Sequence, residues 1–274
     1  MTERYDLIVL GGGPAGASAA IEAASHGLRT LLIDEGRDAG GQVFRPLSQA
    51  IASGPASADQ MEGDALRQRL AASGVTCRFG RRVWMVERGF RVASLGPAGP
   101  EEAVADALVV ATGAVERHMP VPGWTLPGVI GLAAATVLLK SEKMLPGRRV
   151  VVAGSGPLLL LVAAAILTGG GEVAAVVDQS SRRALLRTLP ALAGRPDLAW
   201  RGLGWLHRIR TRHVPVLGGY AISRIEGADA VERVCCTRID ATGAPQAGQE
   251  QYFFADAVCL GFGLLPSTEI TQLL

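Results

Sequence analysis

Residues 5–16 read Tyr-Asp-Leu-Ile-Val-Leu-Gly-Gly-Gly-Pro-Ala-Gly, and residues 30–35 read Thr-Leu-Leu-Ile-Asp-Glu. The apolar run from Leu7 to Leu10 predicts a buried strand. The small residues around Gly16 predict a helix, and Thr30 to Ile33 predicts a second strand, closed by Asp34. This order of strand, glycine turn, helix and strand is the βαβ fingerprint of an adenine-dinucleotide site. Gly11 permits the tight turn, Gly13 lets the backbone approach a pyrophosphate, and Gly16 lets helix and strand pack closely. Open amides at the helix start, aided by the helix dipole, face the phosphates. An acid about 20 residues on is where a ribose hydroxyl is held. A glycine turn without a ligand would leave Asp34, at the end of a hydrophobic strand, without a role. The expected cofactor-binding set of this unit is Gly11, Gly13, Pro14, Ala15, Gly16, Asp34 and Glu35.

The chain has 274 residues, enough for one large domain or two small ones, and a formal net charge of +2. So small a net charge gives no large electrostatic footprint for nucleic acid. Lys140 and Lys143 are the only lysines among the basic residues, a compositional bias rather than a functional signal. The start, Met-Thr-Glu-Arg-Tyr-Asp, has no basic segment followed by an apolar one, so no signal peptide is expected. The longest apolar stretch, Leu158 to Leu167, is too short to span a bilayer. A cytoplasmic protein is the expectation. The cysteines are Cys77, Cys235, Cys236 and Cys259. None forms a CxxC, so neither a zinc ribbon nor an iron–sulfur run is supported, and no metal site is expected. Cys77 and Cys259 read as core thiols. Cys235 and Cys236 would alternate faces of a strand.

Residues 36–60 read as a loop punctuated by Gly36, Gly40, Gly41, Pro46, Gly54 and Pro55, and residues 62–73 as an amphipathic helix. Three short segments at 75–79, 82–87 and 90–95 read as an antiparallel meander. An apolar strand from Ala105 ends in Ala111-Thr112-Gly113. Pro120, Pro122, Gly123, Pro127 and Gly128 read as a crossover between domains, and 130–140 as a helix. The opening pattern then recurs: a strand at 149–153, the turn Gly154-Ser155-Gly156-Pro157, a helix at 158–167, and a strand at 172–177 closed by Asp178. Leu159 occupies the third glycine position, where its bulk is expected to force the helix away from the strand. If this unit binds, the expected ligands are Gly154, Gly156 and Asp178, the acid favouring an unphosphorylated ribose as in NAD. After about residue 198 the pattern reads as strands again, at 214–217, 220–225, 231–237 and 251–254, with a last apolar strand at 257–260 leading to Gly261-Phe262-Gly263. The fold class is therefore α/β, with two Rossmann-like dinucleotide-binding domains, the second inserted in the first. The expected boundaries are 1–114 for a first domain with a meander, 115–265 for a second, and 266–274 for an incomplete return to the first.

Two βαβ dinucleotide units, a meander after the first and an Ala-Thr-Gly strand end between them resemble the two-dinucleotide-binding flavoproteins, or pyridine nucleotide-disulfide oxidoreductases. The resemblance covers essentially the whole chain. It implies FAD in the first unit and NAD(P)H in the second. Gly40-Gly41-Gln42-Val43-Phe44-Arg45-Pro46, then Ala111-Thr112-Gly113-Ala114 with Arg117 and the string from Pro122 to Val129, and Gly154 to Leu160 resemble, more narrowly, the alpha-type subunits of heteromeric amine and imino-acid dehydrogenases. Opine oxidase, hydrogen cyanide synthase, and D-hydroxyproline or dye-linked proline dehydrogenases have such subunits. This likeness implies a partner flavoprotein subunit, an iron–sulfur subunit, and an amine, imino acid or opine oxidised through the complex. It places Gly41 and Gln42 along the ribityl and flavin side, Val83 at the adenine through its backbone, and Ala111, Thr112 and Gly113 over the cofactor.

The sequence departs from the superfamily in three ways. It has no redox cysteine pair, so a disulfide reductase is not expected, because exchange needs an attacking and a resolving thiol. It also lacks the Gly-Asp segment that caps the ribityl chain in relatives, and the cysteine-rich segment for a [2Fe–2S] cluster. The histidines His26, His118, His207 and His213 show no triad or metal spacing, and no catalytic side chain is singled out. In flavin chemistry the cofactor carries the reactive atom. Arg182, Arg183 and Arg187 could meet a nucleotide phosphate or form an exposed helix face. Two other readings stay open: a stand-alone NAD(P)H-dependent flavin reductase of ferredoxin-reductase type, and a scaffold holding FAD, ADP or ATP without turnover.

Overall fold

The computed structural model describes residues 3–47, 57–180, 194 and 196–274. The chain divides into two compact units: Met1–Val115 with Leu265–Leu274, and Glu116–Leu264.

In the first unit, β1 (Glu3–Leu10), α1 (Pro14–Ser25) and β2 (Thr30–Ile33) form the expected βαβ frame. The turn residues after β1 stop the strand, and Pro14, with its φ already suited to a helix, opens α1. α2 (Ala58–Ala72) is capped by a reciprocal pair: the Ser57 hydroxyl accepts from the Gln60 amide, and the Gln60 side chain accepts from the Ser57 amide. It leads into β3 (Thr76–Arg78), followed by β4 (Arg82–Glu87), β5 (Arg91–Gly96) and β6 (Gly99–Val110). The sheet order is β3-β2-β1-β6-β5-β4. β3 pairs parallel with β2, so the meander consists of β4, β5 and β6 rather than the three segments the pattern suggested. A helical crossover precedes β3, and such a connection returns the chain parallel to β2. Ile8, Leu10, Leu31 and Ile33 face the meander side with Val86 and Val92, whereas Val9 and Leu32 face α1 and α2. A strand covered on both faces must be apolar throughout, which is why no alternation appears in β1 or β2.

The connecting strands β7 (Ala114–Glu116) and β16 (Leu264–Pro266) pair in a two-stranded sheet. In the second unit a parallel sheet of order β11-β10-β9-β15-β8 is built from β8 (Val129–Gly131), β9 (Arg149–Gly154), β10 (Glu172–Asp178), β11 (Val216–Gly218) and β15 (Ala257–Gly261). On one face lie α3 (Leu132–Ser141) and α4 (Leu158–Thr168), with Val150, Val152 and Cys259 pointing at them. On the other face lies the antiparallel sheet β12 (Tyr220–Glu226), β13 (Arg233–Ile239) and β14 (Pro245–Phe254), with Val151, Val258 and Cys236 between the layers.

Two differences from the sequence reading stand out. The strands expected after residue 198 are present, but ahead of the first of them a helix, α5 (Pro196–Thr211), fills a stretch where the sequence pattern marks no helix. Gly202 and Gly204 lower its intrinsic helix propensity, and its fixation by packing is not a local signal. The proline-rich passage is part of the second unit rather than a crossover. Pro122 O accepts from Ile225 N (2.8 Å), Pro127 O from Val231 N (3.0 Å) and Gly128 O from Val258 N (2.9 Å). At Gly123 (φ +84°) a β-carbon would lie 2.0 Å from Ile225 O, so the Pro-Gly-Trp string is a backbone fit to β12. Cys235 and Cys236 lie on the strand β13 as the pattern expects, both are buried, and Cys236 faces the layer between the sheets.

All four cysteines are free thiols, and burial pushes Cys236 and Cys259 up to about 12. At about pH 8 the thiolate, the reactive form, is then essentially absent at both positions. A thiol reagent is expected to leave Cys236 and Cys259 unmodified in the native protein and to modify them promptly in guanidinium chloride, as peptide mass spectrometry would show.

Candidate dinucleotide site

The turn between β1 and α1 is set by a contact that admits no side chain. A β-carbon at Gly16 would lie 1.9 Å from Gly11 O, and one at Gly11 would lie 2.3 Å from Ala111 O. Helix, strand and the end of β6 thus meet at backbone distance. Gly13, extended at φ −65° and ψ 178°, is the N-cap of α1, and its carbonyl accepts from Ala17 N (2.9 Å). Among the described residues the amides of Gly13, Ala15 and Gly16 have no hydrogen-bond partner. Such unpaired amides are what a helix start offers an anion. The space beside Gly13 is clear: an added β-carbon meets nothing nearer than Gly41 Cα at 4.0 Å.

Asp34 follows β2 and is joined to this turn. Its Oδ2 accepts from Gly12 N (2.5 Å) and its Oδ1 from Gly36 N (2.5 Å). Each carboxylate oxygen has a second lone pair, so hydroxyl donors can still be accepted. Glu35 is exposed and lies 3.4 Å from Arg82 Nε. The loop carrying Gly41 folds back on the turn: Gly40 N donates to Gly12 O (2.8 Å), and Gly41 rests against Gly13. Gln42 Oε1 accepts from Arg45 (3.1 Å). Arg81 N donates to Asp34 O (3.0 Å), which brings the start of β4, with Val83, alongside the acid. Ala111 N donates to Leu10 O (2.7 Å), the Thr112 hydroxyl donates to Ser267 O (2.8 Å), and Ser267 N donates to Gly113 O (3.0 Å). Residues from six places in the chain therefore converge on one crevice of the first unit, a set whose charge, shape and open amides fit a diphosphate-bridged adenine cofactor.

The second turn is arranged differently. Gly154 approaches Gly261 O as Gly11 approaches Ala111 O. Gly156, however, is left-handed at φ +101°, and α4 begins only after Pro157. Asp178 Oδ1 accepts from Ser180 N (2.8 Å) in its own loop. Arg182, Arg183 and Arg187 lie outside the described residues.

One group escaped the sequence reading. The Glu116 carboxylate accepts from Ala133 N through both oxygens (3.1 and 3.0 Å), capping the start of α3. Its partner is 17 positions away and reached only through the fold, so no local pattern announced it. Beside it a cavity of about 190 Å³ is lined by Arg117, His118, Trp124 and Phe262 among others. Burial pushes the Glu116 carboxyl up, against the opposing pull of the Ala133 and Leu132 amides and of His118.

Two outcomes are expected. Gly13→Ala is compatible with the backbone and the space at that site, yet it puts a methyl in the open space before the unpaired amides, where a bound diphosphate would lie. It should leave the melting temperature unchanged and weaken ADP or FAD binding by tenfold or more, about 1.4 kcal/mol, in calorimetry. A carboxyl whose folded pKa is raised contributes its stability fully below the unfolded value and loses it as pH rises through the folded value. Glu116→Gln should therefore raise the melting temperature at about pH 8, with the gain vanishing in acid where Glu116 is itself neutral.

The chain matches the pyridine nucleotide-disulphide oxidoreductase family over residues 5–273. It is 34% identical to an opine oxidase subunit of Agrobacterium tumefaciens (strain Ach5), across 99% of this chain and 55% of that protein. It is 31% identical to hydrogen cyanide synthase subunit HcnB of Pseudomonas protegens, across 97% of this chain and 58% of that protein. It thus spans about half the length of these curated relatives. Among solved structures, T. acidophilum thioredoxin reductase is similar with a TM-score of 0.68 at 19% identity, covering 98% of this chain and 81% of that one. L-proline dehydrogenase from P. horikoshii is similar with a TM-score of 0.62 at 21% identity, covering 100% and 45%. At these identities the two structures speak to the fold alone. Among the described residues no helix is long and apolar enough to cross a membrane. On its sequence match and its two βαβ units, this chain belongs to the pyridine nucleotide-disulphide oxidoreductase family, an oxidoreductase family of the FAD- and NAD(P)-binding flavoprotein type.

Proposed function

We propose that this chain is the FAD-binding, alpha-type subunit of a heteromeric dehydrogenase or oxidase acting on an amine, an imino acid or an opine. The observation that carries this reading is the crevice of the first unit, where three open amides and a carboxylate converge, in a chain whose relatives are subunits of opine oxidase and hydrogen cyanide synthase. Gly13, Ala15 and Gly16 hold the diphosphate through their amides, with Gly11 and Pro14 shaping the turn. Asp34, with Glu35 beside it, takes the adenosine ribose, and the Val83 backbone meets the adenine. Gly41 and Gln42 line the ribityl and flavin side, while Ala111, Thr112 and Gly113 close over the cofactor. FAD, when bound, supplies the redox chemistry, and the protein supplies position and electrostatics. In this reading the substrate is oxidised on a partner flavoprotein, and this chain passes or accepts electrons. A further partner is an iron–sulfur subunit.

The reading excludes disulfide reduction. Such exchange needs an attacking thiolate and a resolving thiol within reach. Here no two cysteines form a CxxC, and burial holds Cys236 and Cys259 as protonated thiols.

The full chain, purified from its host, should show flavin absorption, release FAD equimolar with protein on denaturation, and co-purify with a second flavoprotein. An amine, imino acid or opine should then bleach the flavin of the complex. A colourless protein holding only ADP or ATP would replace this reading with that of a non-catalytic scaffold.

A further inference from the structure

The two glycine turns follow parallel strands of similar pattern, yet their amides are spent differently. At the first, Gly12 N is held by the Asp34 carboxylate, and the amides of Gly13, Ala15 and Gly16 stay open. At the second, Ser155 N is taken by Gly261 O (2.8 Å), and Leu159 N, the counterpart of Gly16 N, is taken by Gly156 O (3.3 Å), while among the described residues the amides of Gly156 and Leu158, the counterparts of Gly13 and Ala15, have no partner. That short bond closes a tighter turn, and Leu161 N then donates to Pro157 O at 3.4 Å, so the first turn of α4 is irregular.

The cause is Leu159. Its side chain is 1% exposed, packed with Val150, Val152 and Val162. A leucine cannot enter the backbone-to-backbone contact that Gly16 makes. The helix start is instead displaced along the chain by one residue, with Gly156 left-handed and Pro157 as the cap. Leu158, the counterpart of Ala15, is 41% exposed and puts an isobutyl group beside the turn where Ala15 has only a methyl. Asp178 is not tied to the turn by a Ser155 amide bond, in contrast to Asp34.

We infer that the second βαβ unit of this chain does not bind a nicotinamide dinucleotide: Leu159 has exchanged the phosphate cradle for core packing, and each chain holds one adenine-dinucleotide site, at the Gly11–Gly16 turn. Gly154, Gly156 and Asp178 then serve the fold, and NAD(P)H is not an electron donor to this chain. This separates it from a stand-alone NAD(P)H-dependent flavin reductase. The inference uses the reading of the first site only as a control.

The test is calorimetry on the full FAD-loaded chain titrated with NADH and with NADPH, followed by anaerobic mixing in a spectrophotometer. No saturable binding is expected up to about 1 mM, the upper end of ordinary KM values, and no bleaching. Ser155→Glu, which places a charge at the second turn, should leave FAD binding and thermal stability unchanged. If NADH binds the FAD-free chain but is displaced by FAD and lost in Gly13→Ala, it occupies the first turn and the inference stands. Saturable binding to the FAD-loaded chain that Ser155→Glu abolishes would overturn it. Failure of FAD to bind sinks the proposed function instead, because the NADH heat is read independently of flavin.

Discussion

The first unit depends on a contact between backbones. Because Gly16 lies against the carbonyl of Gly11, and Gly11 against that of Ala111, the axis of α1 is pinned to the ends of β1 and β6. That approach aims the open helix start at a fixed point in the crevice, where preorganised amides cost nothing further to orient. The Gly41 loop, the acid after β2 and the end of β6 are each bonded to the turn or its flanks, so a ligand there would meet a frame already assembled.

The second unit shows what happens when that contact is removed and the frame retained. The parallel sheet, its covering helices and the antiparallel layer are held by apolar burial across Val150 to Ala153 and Val173 to Val177. Burial stabilises by roughly 1.5–3 kcal/mol for each large side chain fully removed from water, independent of any ligand. Leu159 adds to that burial. A dinucleotide-type fold can therefore persist on packing alone while the third position of its glycine turn is given over to a core leucine.

Much of this is legible in the chain itself, and the limits have physical reasons. The βαβ units can be read because strand, turn and helix are local and Gly11, Gly13 and Gly16 have one steric explanation. Leu159 is visible as a departure, but from sequence only its bulk is known. That it fills the core and shifts the helix start, rather than simply lifting the helix, depends on the space under α4. Thr76 to Arg78 reads into the wrong ladder because three residues carry no mark of parallel or antiparallel pairing. The Pro-Gly-Trp passage looks like a linker because its hydrogen bonds run to Ile225 and Val231, about a hundred residues later. Glu116 is invisible for the same reason.

The bond from Thr112 to Ser267 closes a loop of 155 residues. Ordering so long an open chain costs about 4–5 kcal/mol in loop entropy before a constant term. The inserted unit removes most of that cost if it forms first, because its own ends are joined where Arg117 N donates to Gly263 O (2.9 Å). A folded insert hands its host two termini already side by side. The contact that joins Thr112 to Ser267 thus owes part of its low entropic cost to a unit that contributes no residue to the crevice.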